Sequence, residues 1–232
     1  MKIKKKARNR IFLLLRNFID PLLIKNKNQV VLYSSTGVLD ANLICVKEYL
    51  SFYHPELKVV VLKAKINRSL KSSLQYLYTF FRSHYVIVDH AIPRFLTNRK
   101  RKIFNVWHGI PLKTIRHLDK KRFTDKFLDF ESKNLNGLVC SSVLDQAVMS
   151  ACFNIPISKC ILSGLPRADL LGEKGLEWFT DVQEEGLIES LNGRKLISWM
   201  PTYRGNWKEN KKIVAFSRQE EVLLCDFLQK NN

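Results

Sequence analysis

The sequence predicts an α/β fold, a parallel sheet with helices on both faces. Short apolar runs at residues 29–35, 58–62, 85–88, 103–106 and 136–140 have the length and branching of buried strands. Stretches with helical spacing alternate with them, at residues 41–52 and 69–82. The 232 residues, 46% hydrophobic and 26% charged, provide enough apolar surface for a core and exclude a disordered chain. In such a fold, ligands bind beyond the carboxyl ends of the strands.

The first element is a basic arm. Lys2, Lys4, Lys5, Lys6, Arg8, Arg10 and Arg16 all precede the first acid, Asp20. Ile11, Leu14, Leu15, Phe18, Leu22 and Leu23 recur at helical spacing, and Pro21 should kink or end the helix. The apolar run 11–15 is too short to cross a bilayer of about 30 Å, and no small-residue cleavage site follows it. An amphipathic helix on an anionic leaflet fits this pattern. Lys4, Lys5, Lys6, Arg8, Arg10, Phe12 and Arg16 are its expected contacts, and each basic group near the surface contributes on the order of 1 kcal/mol. The alternative is a helix packed on the domain with a solvated basic edge.

Residues 29–35 then read as a strand entering a Ser/Thr/Gly loop. Leu43, Val46 and Leu50 give 41–52 one apolar face, and Pro55 closes that helix. Tyr76, Tyr78, Phe80 and Phe81 of 69–82 are expected in the core. The strand at 85–88 ends in Asp89-His90, and the strand at 103–106 ends in Trp107-His108-Gly109. Pro111 suits a first helical position, with Lys113 in the first turn. A strand that delivers a histidine and a glycine to a helix tip is a candidate phosphate site. A core Trp beside a turn His is the plainer reading. Residues 155–162 are expected to lead into Gly164-Leu165-Pro166-Arg167-Ala168-Asp169, a rigid turn. Arg167 there either meets an anion or pairs with Asp169.

The formal net charge of +18 predicts an anionic partner: lipid, nucleotide, polyphosphate polymer or nucleic acid. No zinc-finger spacing or RNA-recognition pattern accompanies it, which argues against nucleic acid. Arg94, Arg99, Lys100, Arg101 and Lys102, followed by Lys113, Arg116, Lys120, Lys121 and Arg122, form either a solvated face or a field that gathers a phosphodiester polymer. Cys45, Cys140, Cys152, Cys160 and Cys225 show no CxxC or zinc spacing and read as reduced thiols. No P-loop, dinucleotide fingerprint or metal motif occurs, so neither metal nor cofactor is expected.

The string Trp107-His108-Gly109-Ile110-Pro111-Leu112-Lys113 resembles the W-H-G-T-P-L-K signature of the CDP-glycerol glycerophosphotransferases of bacterial teichoic acid synthesis. Residues 164–169 are similar to the family's G-x-P-R-x-D. Met200-Pro201-Thr202-Tyr203-Arg204 is similar to its A-P-T-aromatic-R. Tyr33-Ser34-Ser35 with Asp40-Ala41-Asn42 resembles the weaker opening pattern. Ile110 replaces the usual threonine, Arg116 a glycine, and Ala168 an asparagine.

The resemblance implies a GT-B-like fold: a Rossmann-like N-terminal domain and the beginning of a second Rossmann-like domain that holds the nucleotide. The expected organisation is an arm at 1–28, an N-terminal acceptor domain at 29–171, a linker at 172–186 and an incomplete C-terminal domain at 187–232, with a strand at 195–200 and a helix at 217–230. Much of the family's nucleotide site would lie beyond residue 232, so a fragment or a truncated, inactive product is expected. The implied reaction moves glycerol phosphate from CDP-glycerol to the terminal hydroxyl of a polyol-phosphate polymer on a lipid carrier, at the cytoplasmic face of the cell membrane, and releases CMP. His108 suits the general base, because an imidazole titrates near neutral pH and such help is worth about 10²–10⁴-fold. Gly109, Lys113, Arg167 and Arg204 are the candidate phosphate clamps, and Thr202 a hydrogen-bond donor to the substrate. The rivals are a GT-B enzyme using another activated alditol or a sugar nucleotide, and a non-catalytic membrane-bound chain that holds an anionic polymer.

Overall fold

The computed structural model describes residues 11–64, 70–119, 124–172, 177–178, 192 and 217–230. The chain divides into two compact units, Met1–Asp181 and Val182–Asn232. In the first, the strands are β1 (Asn26–Ser34), β2 (Lys58–Lys63), β3 (Ser83–Val88), β4 (Lys102–Asn105), β5 (Gly137–Cys140) and β6 (Cys160–Leu162). They form one parallel sheet in the order β2-β1-β3-β4-β5-β6. Its helices are α1 (residues 11–18), α2 (Ala41–Tyr53), α3 (Leu70–Arg82), α4 (Asp125–Asn134) and α5 (Val143–Phe153).

Strand alternation divides the core between the two faces of the sheet. On β1, Val31 and Tyr33 enter the larger cluster with Phe80, Val86, Ile103 and Leu138. Val30 and Leu32 enter the smaller one with Leu43 and Val106. Val46 and Leu50 of α2 cover the second face, as their spacing predicts. α3 and α5 cover the first with Tyr76, Leu77, Phe81, Met149 and Phe153. Tyr78 departs from expectation: it is exposed, because α3 is one-sided and Tyr78 falls on its solvent side.

Local chemistry sets the element ends. Asp40 caps α2 by accepting from the Leu43 N–H at 2.9 Å, and Ser142 caps α5 by accepting from the Asp145 N–H at 3.1 Å. Asn154 ends α5 in the left-handed region. β1 begins at Asn26, three residues before the predicted start. Residues 155–162, expected to lead into the turn at Gly164, form a 3₁₀ turn, Ile157–Lys159, and then the short β6. In the second unit, Ser217 and Glu220 exchange hydrogen bonds as a capping box ahead of α6 (Arg218–Lys230). The predicted strand at 195–200 lies outside the described residues.

Two expectations about the basic segments are corrected. Arg101 is not part of a solvated face but one of the largest fully buried side chains. Its guanidinium grips both carboxylate oxygens of Asp20, the Nη1–Oδ2 bond being 2.9 Å, and also donates to Thr97 O at 2.8 Å. Lys25 Nζ completes the network, 2.6 Å from Asp20 Oδ1 and from Phe81 O. Phe12, expected at a membrane, instead meets the Phe95 ring edge-on at 5.5 Å, and Leu15 and Leu23 pack on the same core. α1 is therefore docked on the domain by one face. Lys4, Lys5, Lys6, Arg8 and Arg10 lie outside the described residues.

Removing one partner of a buried ion pair leaves the other charge stranded. Asp20→Ala is expected to lower unfolding stability by about 3–5 kcal/mol, read by urea titration. Asp20→Leu with Arg101→Met and Lys25→Met should recover most of that loss, since no charge is then left buried.

Candidate functional site

The strand order changes direction between β1 and β3, so the connections leaving their carboxyl ends run to opposite faces of the sheet and leave a crevice between them. The chain fills it with three loops. β1 leads through Ser34 and Ser35 to Asp40 and Asn42, β3 ends in Asp89-His90, and β4 ends in Trp107-His108-Gly109.

One buried side chain joins them to the later motif. Asn42 donates from Nδ2 to Trp107 O, and its Oδ1 accepts the Arg167 N–H at 3.1 Å. This places Arg167 beside Gly109, whose φ of +139° suits glycine. A methyl group at position 109 would come within 3.3 Å of Arg167 Nη2. Trp107 itself has φ +40°, a strained value for a bulky residue. Its N–H is held by Asn105 Oδ1 at 2.8 Å, and Asn105 Nδ2 donates to His90 O at 2.8 Å. No ion-pair contact joins Arg167 to Asp169 among the described residues.

His108 stacks on His90, with ring centroids 4.3 Å apart and planes inclined by 25°. Desolvation of its inner side, then the neighbouring His90, lower its pKa to about 4. Its outer side is solvent-exposed, so the direction is what the chemistry uses: an imidazole neutral at pH 7. His90 Nδ1 lies 3.1 Å from Asp89 Oδ1, close but poorly aligned for a hydrogen bond. Burial would raise Asp89, yet His90 and hydrogen bonds from Ser34 and Ser35 outweigh it and hold the carboxyl below its usual range. Asp40 is raised instead, by burial against the pull of the Leu43 N–H. Asp89 Oδ2 and Asp40 Oδ2 are buried with no hydrogen-bond partner among the described residues. Buried polar atoms of this kind concentrate at functional sites.

No helix begins at Pro111. The backbone stays irregular to Ile115 and makes only a 3₁₀ turn at Arg116–Leu118. The expected anion site on a helix tip is therefore absent from this stretch, and Lys113 stands exposed on a loop. The reason lies at Arg116, which has φ +53° and is buried. It binds Glu131 through Nη1 and His90 O through Nη2, with its guanidinium carbon 5.0 Å from the Trp107 and Phe153 ring centroids. A left-handed residue here breaks any helix running on from Pro111. Thr202 and Arg204 lie outside the described residues.

The structure thus brings together His108, Gly109 and Arg167, and leaves Lys113 apart. Sequence reasoning placed His90 at a strand end but gave it and Asp89 no role. It quoted Asp40 and Asn42 only as part of a weak pattern. The signal for Asp89 and His90 was an acid–histidine pair at the end of a parallel strand. Asn42 had no such signal, since its role depends on two distant partners. The four buried cysteines are unpaired, and burial raises the pKa of each thiol, so they offer no nucleophile.

A sequence model of CDP-glycerol:poly(glycerophosphate) glycerophosphotransferases matches residues 15–231. The chain belongs to this family. Among curated relatives, it is 24% identical to the teichoic acid ribitol-phosphate polymerase TarL of Staphylococcus aureus (strain NCTC 8325 / PS 47) over 179 residues. That alignment takes in 74% of this chain and 32% of TarL. Against TarK of the same strain the identity is 25% over 160 residues, covering 67% of this chain and 31% of TarK. The chain therefore spans about a third of the length of the curated relatives it matches. Among solved structures, a substituted wall teichoic acid polymerase TagF soaked with CDPG aligns with a TM-score of 0.63 at 15% identity. It covers 88% of this chain and 56% of its own. A further TagF structure aligns at 0.58 and 16% identity, covering 82% of this chain and 52% of its own. The family's fold is thus the GT-B-like α/β architecture seen here.

Asn42→Ala would strand the buried Trp107 carbonyl and free the half-buried Arg167 N–H to meet water. Unfolding in urea should show a loss of about 1–3 kcal/mol, from the carbonyl.

Proposed function

We propose that this chain carries the acceptor-activating half of a glycerophosphotransferase. The reaction moves glycerol phosphate from CDP-glycerol to the terminal hydroxyl of a teichoic-acid-like polymer and releases CMP. The observation that carries this reading is the placement of a neutral histidine, His108, beside the Arg167 guanidinium at the strand ends. A base must be unprotonated to accept the hydroxyl proton, and lowered pKa keeps His108 so. Arg167 offers charge to the phosphoryl oxygens, which take up the developing negative charge, and the Gly109 backbone allows close approach. Binding of the donor's negative phosphates would raise His108 and strengthen it as a base at the moment of transfer. His90, its ring packed on His108, fixes the plane of that imidazole. By the family resemblance alone, Thr202 and Arg204 are proposed as donor contacts, and Lys113 as a charge on the loop that follows His108.

Nothing in the described site reads the polyol. CDP-ribitol is the second reading, favoured by the two ribitol-phosphate polymerases among the relatives. CMP release in the presence of an acceptor polymer, measured with CDP-glycerol and with CDP-ribitol, separates the two. Release with neither donor would show that this half does not turn over by itself.

We also infer a peripheral place on the cytoplasmic face of the membrane. No helix among the described residues is long and apolar enough to cross a membrane. α1, however, turns Ile11, Leu14 and Phe18 outward, 53%, 56% and 67% exposed, while Phe12 and Leu15 hold it to the core. This stripe, together with Lys4, Lys5, Lys6, Arg8, Arg10 and Arg16 from the same arm, suits an anionic lipid surface.

His108→Ala should lower turnover at least about 10²-fold with the fold intact by circular dichroism. In kcat/KM the acid limb should fall near pH 4, not 6.5, because only protonation of the depressed His108 removes the base. A limb centred near 6.5 would mean that another group accepts the proton.

A further inference from the structure

The carboxyl edge of the sheet holds the candidate active site. The opposite edge, where the strands begin, holds a pocket of about 370 Å³ whose lining includes Arg16, Asp20, Thr97, Arg99, Phe130 and Asn134. That volume lies in the range of small-ligand sites, about 300–1,000 Å³. The acid in this set, Asp20, is already neutralised by Arg101 and Lys25. Arg16 and Arg99 carry the uncompensated charge. Among the described residues, neither has an acid within ion-pair distance.

Both arginines are set in place before any ligand arrives. Arg16 donates from Nε to Asn17 Oδ1 at 3.0 Å and from Nη1 to Arg94 O at 3.2 Å, which leaves Nη2 for a ligand. Arg99 rides on a turn pinned from both sides. The Asn98 N–H donates to Asn134 Oδ1 at 3.0 Å, and its Nδ2 to Lys133 O at 3.2 Å. Lys100 Nζ donates to Pro21 O at 2.6 Å, and Arg101 Nη1 to Thr97 O at 2.8 Å. Groups fixed in this way lose less freedom on binding. The same bonds occupy carbonyls at the end of α4, where Phe130 O also accepts from Asn134 Nδ2 at 2.8 Å. Fewer bare acceptors are left there to oppose an anion.

The chemistry selects the anion. Two guanidiniums without an intervening free acid suit the several oxygens of a phosphate group, which arginine forks grip in pairs. Helical spacing sets Arg16 on the side of α1 away from Leu14 and Phe18, so that apolar stripe does not adjoin the ligand. The amino and carboxyl edges are roughly 20 Å apart for a strand of six residues. A polymer with a phosphodiester in every repeat can occupy this pocket and the Arg167 site with one chain, and so gains from both at once. A monomeric phosphate meets each site separately.

We infer that this pocket is a second anion site, in which Arg16 and Arg99 hold a phosphodiester of the acceptor polymer at a distance from its reacting end. The inference rests on the glycerophosphotransferase reading for the identity of the polymer and adds a remote subsite to it.

The test is isothermal titration of the full chain with a poly(glycerol phosphate) oligomer and, separately, with glycerol 3-phosphate. The Arg16→Gln/Arg99→Gln protein is compared with Lys27→Gln/Lys58→Gln, which removes the same charge from exposed positions at the starts of β1 and β2. The wild type and the lysine control are expected to bind the oligomer similarly, and the arginine variant roughly tenfold or more weakly. All three should keep the same unfolding midpoint. Equal weakening in the two variants would reduce the effect to net charge and overturn the pocket. Failure of the wild type to bind the oligomer would overturn it outright. Glycerol 3-phosphate binding as tightly as the oligomer, and lost in the arginine variant, would assign the pocket to a free phosphate and overturn the polymer assignment. Binding is read without turnover, so oligomer binding through these arginines in a chain that releases no CMP would keep the site while the reaction fails.

Discussion

The candidate site depends on one buried amide. Asn42 is fully enclosed, and it faces one partner with its donor and another with its acceptor: the Trp107 carbonyl and the Arg167 N–H. The Trp107 carbonyl is buried and cannot turn to water, so it requires the amide in place. The strained φ of Trp107 and the open backbone of Gly109 are held against that fixed point. Through it, loops that leave three different strands share one geometry, and Arg167 reaches the histidine motif from 59 residues further along the chain.

A second buried network supports the first from beneath. Arg116 ties the end of β3 to α4 through His90 O and Glu131, and Glu131 Oε1 accepts the Ile92 N–H at 2.9 Å. The left-handed backbone of Arg116 is held at the steric cost of a side chain, and that side chain is used as a brace under Trp107. The same turn keeps the WHGIPLK segment a loop, with no helix terminus at Pro111.

The charge of this chain serves two unlike purposes. Arg101 and Lys25 are interior residues, spent on Asp20, and they lock α1 onto the domain. Arg16 and Arg99 lie a few residues from them in sequence yet remain at the surface. Burial of one charge within a run and exposure of the next follows from the turn that carries them. Leu96 is buried, Arg99 is exposed, and Arg101 enters β4 with its side chain inward.

The sequence by itself determined β1 to β5, the helices α1, α2, α3 and α6, and the family. Those rest on local periodicity, capping residues and contiguous motifs, which act within a few positions of one another. Val30 to Tyr33 alternate between two cores as their pattern predicts, and His108 and Gly109 stand at a strand end as expected. What only the tertiary structure decided involves partners far apart in the chain. Asn42 with Trp107 and Arg167, His90 against His108, Arg101 on Asp20, and Phe12 on Phe95 are all of that kind. A charged or apolar residue reads the same in sequence whether it meets solvent, lipid or a buried counter-ion. The choice is made by which surface the fold brings opposite it, because burial reverses the energetic meaning of both charge and apolar area.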